Sequence, residues 1–246
     1  MNHIFLIARR ILRQLASDRR FLGLSIIAPL LIIFFLKTVF DTFGPAFPAN
    51  RYIVPTAGFI VHFLSFILCA ILVVRERNSG TMERMFVSGF KRFEIIAGYT
   101  LGYLGLATLQ SLIVLTEVLW LFNLSYSAST IAALFLVFWV LSIVSVMLGI
   151  FVSTFARNEA QVFPFIPLII LPSVFFSGLM VDASSLPSWA YIIGHVLPLY
   201  YAIQVISGLI KVGGTFSAQL GNFAVLIGYG LVLLGIASRT LKQYED

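Results

Sequence analysis

Six long apolar runs separated by short polar intervals organise this chain. They fall at roughly 22–40, 53–74, 96–122, 130–154, 161–181 and 219–238, close to or above the ~20 mainly apolar residues a helix needs to cross a bilayer. Their interiors are almost free of charge, Glu117 being the clear exception. Two further segments depart from this rhythm. Over residues 1–21, Ile4, Ile7, Ile11 and Leu15 recur at helical spacing while Arg9, Arg10 and Arg13 lie off that stripe, which predicts an amphipathic helix at a membrane interface. Between the fifth and sixth runs, apolar pieces at about 188–197 and 199–212 are too short to span, and Pro187 and Pro198 punctuate them. Such lengths predict a re-entrant or interfacial helical hairpin within 182–218. The expected fold class is therefore an all-α integral membrane protein, a single domain over 1–246 with six transmembrane helices. An N-terminal interface helix and an outer re-entrant hairpin complete it.

Composition agrees. Hydrophobic residues make up 60% of the chain and charged ones 11%, with a mean hydropathy of +1.01, whereas a soluble domain carries about 25% charged residues. The single cysteine, Cys69, lies in an apolar run and excludes an intrachain disulfide framework. The first apolar run follows an arginine-rich segment with no small-residue cleavage site, so it is expected to be a retained span. A net charge of +6 invites a nucleic-acid partner, but the charge clusters beside the spans, where topology explains it, and no such partner is expected.

Alternating the spans sorts the cations by face. One face holds thirteen: Arg9, Arg10, Arg13, Arg19, Arg20, Arg75, Arg77, Arg84, Lys91, Arg92, Arg157, Arg239 and Lys242. The other holds three, Lys37, Arg51 and Lys211. The positive-inside rule then places both termini in the cytoplasm. Residues 1–21 read either as a plain anchor or as a coupling element, with Arg19 and Arg20 leading into a first span that Pro29 is expected to bend. The fifth span carries Pro164, Pro167 and Pro172, and is expected to be buried in a bundle or beside a pathway, where freed backbone groups find partners.

The spans offer little for an enzyme. Glu117 reads either as a carboxylate reaching the outer interface or as a proton relay. His62 and Cys69, seven apart, supply two ligands where zinc needs three or four, so they read as packing, and no metal site is expected. No G-x-x-x-x-G-K-[ST] phosphate loop occurs, so no ATPase activity is assigned to this chain. Gly98, Gly102 and Gly105 put small residues at helical spacing, a close-packing pattern.

The polar stretch VVRERNSGTMERMFVSGFKRFEIIAGY, 73–99, lies on the cytoplasmic face and forms a loop over 75–95, the coupling loop of the resemblance described below. Asn78, Ser79 and Gly80 break the preceding helix, and a short helix follows. Thr81 is placed to cap it, Glu83 sits in its first turn, and Gly89 ends it. Met82, Met85, Phe86 and Val87 are expected to expose apolar bulk on a helix too short to bury itself. That helix reads either as docked in a partner groove or as resting on lipid headgroups.

The same stretch closely resembles the first cytoplasmic loop of ABC-2 type transporter permeases. Glu76, Gly80, Thr81, Glu83, Arg84, Arg92, Glu94 and Gly98 occupy the matching places, and Gly89-Phe90 stands where many relatives have proline. SDRRFLGLSIIAPLL (17–31), FARNEAQ (155–161) and FFSGLMVDASSLPSWAYIIGHVLPLYYA (175–202) look like the family as well, so the resemblance covers nearly the whole chain. It implies a half-transporter of the drug- or lipid-export type in a bacterial or archaeal plasma membrane. The partners implied are a second permease half, identical or not, membrane lipid, and a separate ABC ATP-binding subunit. That subunit would hold ATP and Mg, leaving this chain without a cofactor. The implied coupling residues are Glu76, Gly80, Thr81, Met82, Glu83, Arg84, Met85, Phe86, Arg92 and Glu94. Arg9, Arg10, Arg13, Arg19 and Arg20 would belong to the inner-interface helix. Glu117, Phe175, Phe176, Trp189, Tyr200 and Tyr201 are candidates for the pathway or exit gate. A reading from another class is a membrane-embedded enzyme or an assembly factor whose loop docks another protein.

Overall fold

The computed structural model describes residues 3–44 and 47–240, and no strand occurs among them. The helices in chain order are α1 (His3–Ser17), α2 (Arg19–Thr42), α3 (Ala49–Asn78), α4 (Thr81–Val87), α5 (Arg92–Leu121) and α6 (Ala128–Ser153). Then come α7 (Phe165–Phe176), α8 (Ser188–His195), α9 (Pro198–Ile210) and α10 (Leu220–Thr240). Six helical stretches are long and apolar enough to cross a membrane: Phe21–Thr42, Ala49–Asn78, Arg92–Leu121, Ala128–Ser153, Glu159–Phe176 and Ser217–Arg239. They coincide with the six apolar runs. Lys242 and the side chain of Arg20, both used above, lie outside the described residues.

The bundle is built on α3 and α6, which pack along one another with α5, α9 and α10 around them. Small residues set the approach: a Cβ on Gly149 would stand 2.7 Å from the Phe66 carbonyl oxygen. Such contact matters in lipid, where helices gain nothing from leaving water and associate through packing and polar bonds. Those polar bonds are present. The Ser65 hydroxyl lies 2.6 Å from that of Ser142 and donates to Gln110 Oε1 at 3.1 Å. His62 Nδ1 lies 2.7 Å from Ser145 Oγ. All five side chains are buried, and they stitch α3 to α5 and α6.

Local chemistry sets the helix ends. Asp18 accepts from the Phe21 backbone N–H at 3.0 Å and so caps α2, which continues through Pro29. Ser127 caps α6 in the same way through Thr130. α8 and α9 meet at 94° across Val196 and Leu197, and Pro198 opens α9. These are the two short pieces expected between the last two spans.

Of the two readings of the fifth span, burial in the bundle fails. The proline-notched fifth span, a short 3-10 turn (Glu159–Val162) followed by α7, is not buried in the bundle. Of α7 only Ile170 and Ser173 are buried, while Leu168 is 68% exposed. α7 lies at the edge because its prolines and large side chains leave no small-residue face on which α3 or α6 could close.

Candidate functional site

The loop between α3 and α5 is shaped by two left-handed glycines. Gly80 (φ +68°) turns the chain out of α3 and forms the N-cap of α4; Gly89 (φ +82°) turns it out of α4. Both conformations are open to glycine at no steric cost. Thr81 is thus the first helical residue and not the cap, because Gly80 alone can adopt the required turn. The Thr81 hydroxyl instead lies 2.8 Å from the Ser79 hydroxyl, and Arg84 donates to the Ser79 carbonyl at 3.2 Å. On the far side, the Lys91 backbone N–H donates to Glu94 Oε2 at 2.8 Å, a cap at the start of α5 that the sequence reading missed. The same oxygen lies 3.1 Å from His3 Nδ1, and the His3 ring stacks on Phe90 at 4.4 Å.

α4 has two unlike faces. Met82 and Met85, expected to be exposed, are buried, 3% and 9% accessible, against Ile95 and Tyr99. The expectation overlooked the ends of α3 and α5, which supply the wall those methionines fill. What α4 offers to the outside is Glu83, Arg84 and Val87, with Val87 91% exposed and Phe86 half-buried. Arg92 is half-buried at the head of α5.

Beneath α4, α1 lies along α5. Ile7, Ala8, Ile11 and Leu15 form its buried stripe. Gly98 and Gly102 make the bed, since a Cβ on either would come within 2.6 Å of the Cβ of Ile7 or Ile11. Arg10 crosses from α1 to pair with Glu76 near the end of α3, and Tyr99 of α5 donates to the same carboxylate oxygen at 2.9 Å. Burial works against the Arg10 charge, but the Tyr99 and Glu76 oxygens outweigh it and hold the guanidinium pKa above its ordinary value. One anion therefore joins α1, α3 and α5 directly under α4. Beside it Gln14, Asp18, Arg75 and Tyr103 help line a cavity of about 290 Å3. Arg9, Arg13 and Arg19 are exposed, and Arg9 and Arg13 share the outer surface of α1 with Phe5, Leu6 and Leu12. Arg77 donates to the Ala156 carbonyl and ties α3 to the segment after α6.

The pathway candidates do not form one cluster. Trp189 of α8 meets Phe176 of α7 edge-on at 5.6 Å, and Phe175 is exposed. Tyr200 is buried against His195, and the Tyr201 hydroxyl donates to the His195 carbonyl at 2.8 Å. Glu117 is half-buried and one of its carboxylate oxygens has no partner. Of these, only Tyr200 lines the large cavity at the end of the bundle opposite α4. At its mouth Arg51 and Asp182 form a two-bond ion pair at 2.9 and 3.0 Å, unforeseen because 131 residues separate the partners. Among the described residues no cluster of three or more metal-ligating side chains occurs.

Comparison with known proteins gives this geometry a family. The model of the ABC-2 type transporter family matches residues 2–210. A probable multidrug ABC transporter permease of Escherichia coli, YbhS, is 25% identical over 208 residues, covering 83% of this chain and 54% of that protein. ABC transporter G family member 20 of Dictyostelium discoideum is 26% identical over 217 residues, 85% of this chain and 29% of the relative. The linearmycin resistance permease protein LnrN of Bacillus subtilis is 22% identical over 188 residues, 76% and 48%. The chain spans about half, or less, of the length of these relatives. It belongs to the ABC-2 type transporter family and is a multi-pass membrane protein.

Proposed function

We propose that the chain is the permease half of an ATP-driven exporter and that α4 is the helix through which a separate ATP-binding subunit moves it. The observation that carries this is the two-faced character of α4. Its methionines are anchored in the permease, and Glu83, Arg84 and Val87 are exposed at the loop tip. Directly below, the Arg10–Glu76–Tyr99 junction couples α4 to three helices, so a push on the tip is delivered to the bundle as a whole. The charge asymmetry supports α4 and both termini in the cytoplasm of a bacterial or archaeal cell. The exposed apolar and arginine surface of α1 suits the inner lipid interface.

A second permease half completes the pathway. Pro172 deprives the Leu168 carbonyl of its helical donor, and Leu168 points away from the bundle; in lipid such a group is costly, which favours protein cover over α7. The multidrug and linearmycin-resistance names of two relatives favour a drug, and the uniformly apolar, aromatic spans extend this to a lipid or other amphipathic cargo, moved outward between the two halves. The bent α8–α9 pair re-enters from the outer side and helps close the exit. ATP and Mg belong to the motor subunit.

Co-purification tests this. The ATP-binding subunit, expected to be encoded beside this chain, should be captured with near-equal stoichiometry by the wild type. It should be lost by a Glu83→Arg, Val87→Asp variant that still inserts in the membrane. Full capture and transport by that variant would reject the assignment of α4. A chain that turns over substrate alone, with no such subunit, would favour the enzyme reading.

A further inference from the structure

The cavity at the α4-distal end of the bundle has a volume of about 1070 Å3 and is walled by the start of α3, residues 178–185, and α8–α9. That is at the upper end of the ~300–1,000 Å3 typical of small-molecule sites. Its wall is divided by chemistry. Leu179, Met180 and Val181 form an apolar shelf; Gln204 and Ser207, one turn apart on α9, and Lys211 just beyond form a polar wall. Gln204 and Ser207 are half-buried, and their side chains make no hydrogen bond among the described residues.

The charges decide what fits. Arg51, Asp182 and Lys211 are the charged residues of the wall. Arg51 and Asp182 neutralise one another, which leaves Lys211 as a net positive charge with no carboxylate set against it. A cationic ligand would find no counter-charge. An anionic group would find an amide and a hydroxyl on α9 and an ammonium just past its end, with an apolar surface also in the wall for a chain.

We propose that this cavity binds an amphiphile with a single anionic headgroup, phosphate or carboxylate. The head lies against Lys211, Gln204 and Ser207, and the chain lies along the Leu179–Val181 shelf. A resident phospholipid and a free single-chain acid share this chemistry. The transport reading fixes only which side of the membrane the cavity faces; binding needs no nucleotide and no motor subunit.

Native mass spectrometry of the purified full chain tests this with dimyristoyl phosphatidylglycerol and dimyristoyl phosphatidylcholine as probes. Phosphatidylglycerol should form about fivefold or more adduct at equal concentration, and Lys211→Glu and the cavity-filling Ser207→Trp should each remove about that factor, the scale of one charge-assisted contact. Arg157→Glu, an exposed cation in the segment after α6, should leave it unchanged. Displacement by myristate assigns the site to free acids, and resistance to it assigns the site to bilayer phospholipid. Equal adduct with both lipids overturns the proposal, as does equal loss in Arg157→Glu. So does full competition by glycerol 1-phosphate, which has the head and no chain. Because nucleotide is absent throughout, failure here leaves the coupling assignment standing.

Discussion

Tyr99 of α5 donates its hydroxyl to the Glu76 carboxylate of α3 at 2.9 Å, joining the two spans that flank α4 at the level where α4 begins. Glu76 is 6% exposed, and Arg10 brings α1 to the same oxygen. An acid this deep is retained only with partners, and here both are hydrogen-bond donors. The junction makes the roots of α3 and α5 a single body with α1, and α4 is seated on that body.

Removing the acid should therefore cost more than removing either single bond. Glu76→Ala leaves the Arg10 guanidinium uncompensated. Since the Arg10 side chain is 37% exposed, water reclaims part of that loss, and the expected cost is about 1–3 kcal/mol, below the 3–5 of a fully buried pair. Tyr99→Phe should cost about 1 kcal/mol. Thermal unfolding of the purified chain in detergent gives the ranking, and equal Tm values for the two variants would show that the junction is not built on Glu76.

The seat of α1 on α5 depends on absent side chains. Gly102→Ala would press a methyl group against Ile11, and overpacking of this kind costs about 1–3 kcal/mol. Ile11→Ala should relieve it. The double variant should then be more stable than the sum of the two single changes, with a coupling of about 0.5–3 kcal/mol between residues in contact. Simple additivity would mean that α1 does not lie in the glycine bed.

The two faces of α4 should separate on mutation. Val87→Asp places a charge on a side chain already 91% exposed, so unfolding stability should stay within about 0.5 kcal/mol of wild type, while capture of the ATP-binding subunit falls. Met85→Asp buries a charge among Ile95 and Tyr99 and should lower Tm by several degrees before any partner is added. If Val87→Asp captures the subunit as well as wild type, the exposed tip is not the contact.

Much of the fold was legible in the sequence because lipid imposes one solution, a helix of fixed minimum length, and the six runs state it openly. The α4 loop was legible for a different reason: Gly80 and Gly89 mark turns that few other residues tolerate. What the pattern could not show was tertiary. Met82 and Met85 read as exposed since the buried cluster they join, with Leu72 and Val73 of α3 and Ile95 and Tyr99 of α5, belongs to neighbouring spans. Arg10 read as one cation of an interface set, and its pairing with Glu76 bridges 66 positions. Gly98 and Gly102 announced close packing but not that α1 would fill the space. α7 read as buried in a bundle or beside a pathway because prolines in lipid demand partners, and nothing in the apolar run itself says which neighbours it meets.

The Arg51–Asp182 pair spans the mouth of the large cavity and is solvent-exposed on both sides. Exposed pairs add little to stability and weaken with salt, so Asp182→Asn should leave Tm unchanged. Its consequence is positional. A disulfide between Arg51→Cys and Asp182→Cys should hold the 178–185 segment against α3 and stop export in vesicles supplied with the motor subunit, with recovery on reduction. Undiminished export by the cross-linked protein would show that this mouth does not open during transport.

The buried bond between His62 and Ser145 fixes a proton as well as two helices. Ser145 Oγ donates to the Leu141 carbonyl at 2.6 Å and has one hydrogen to give. Its 2.7 Å contact with His62 Nδ1 must then run the other way, with Nδ1–H donating to Ser145. The imidazole is thereby the Nδ1–H tautomer, and its buried Nε2, which has no partner among the described residues, is a bare acceptor. Ser145→Ala should strand the ring and cost about 0.6–1.7 kcal/mol, the range of interhelical polar bonds in membranes. Adding His62→Phe removes both polar partners and should recover most of that loss, because a buried group left alone costs more than a pair deleted together. Nitrogen chemical shifts of His62 in 15N-labelled protein read the tautomer directly. A proton found on Nε2 would reverse the bond, put Ser145 in place as donor to the ring, and remove the reason to expect the double variant to recover.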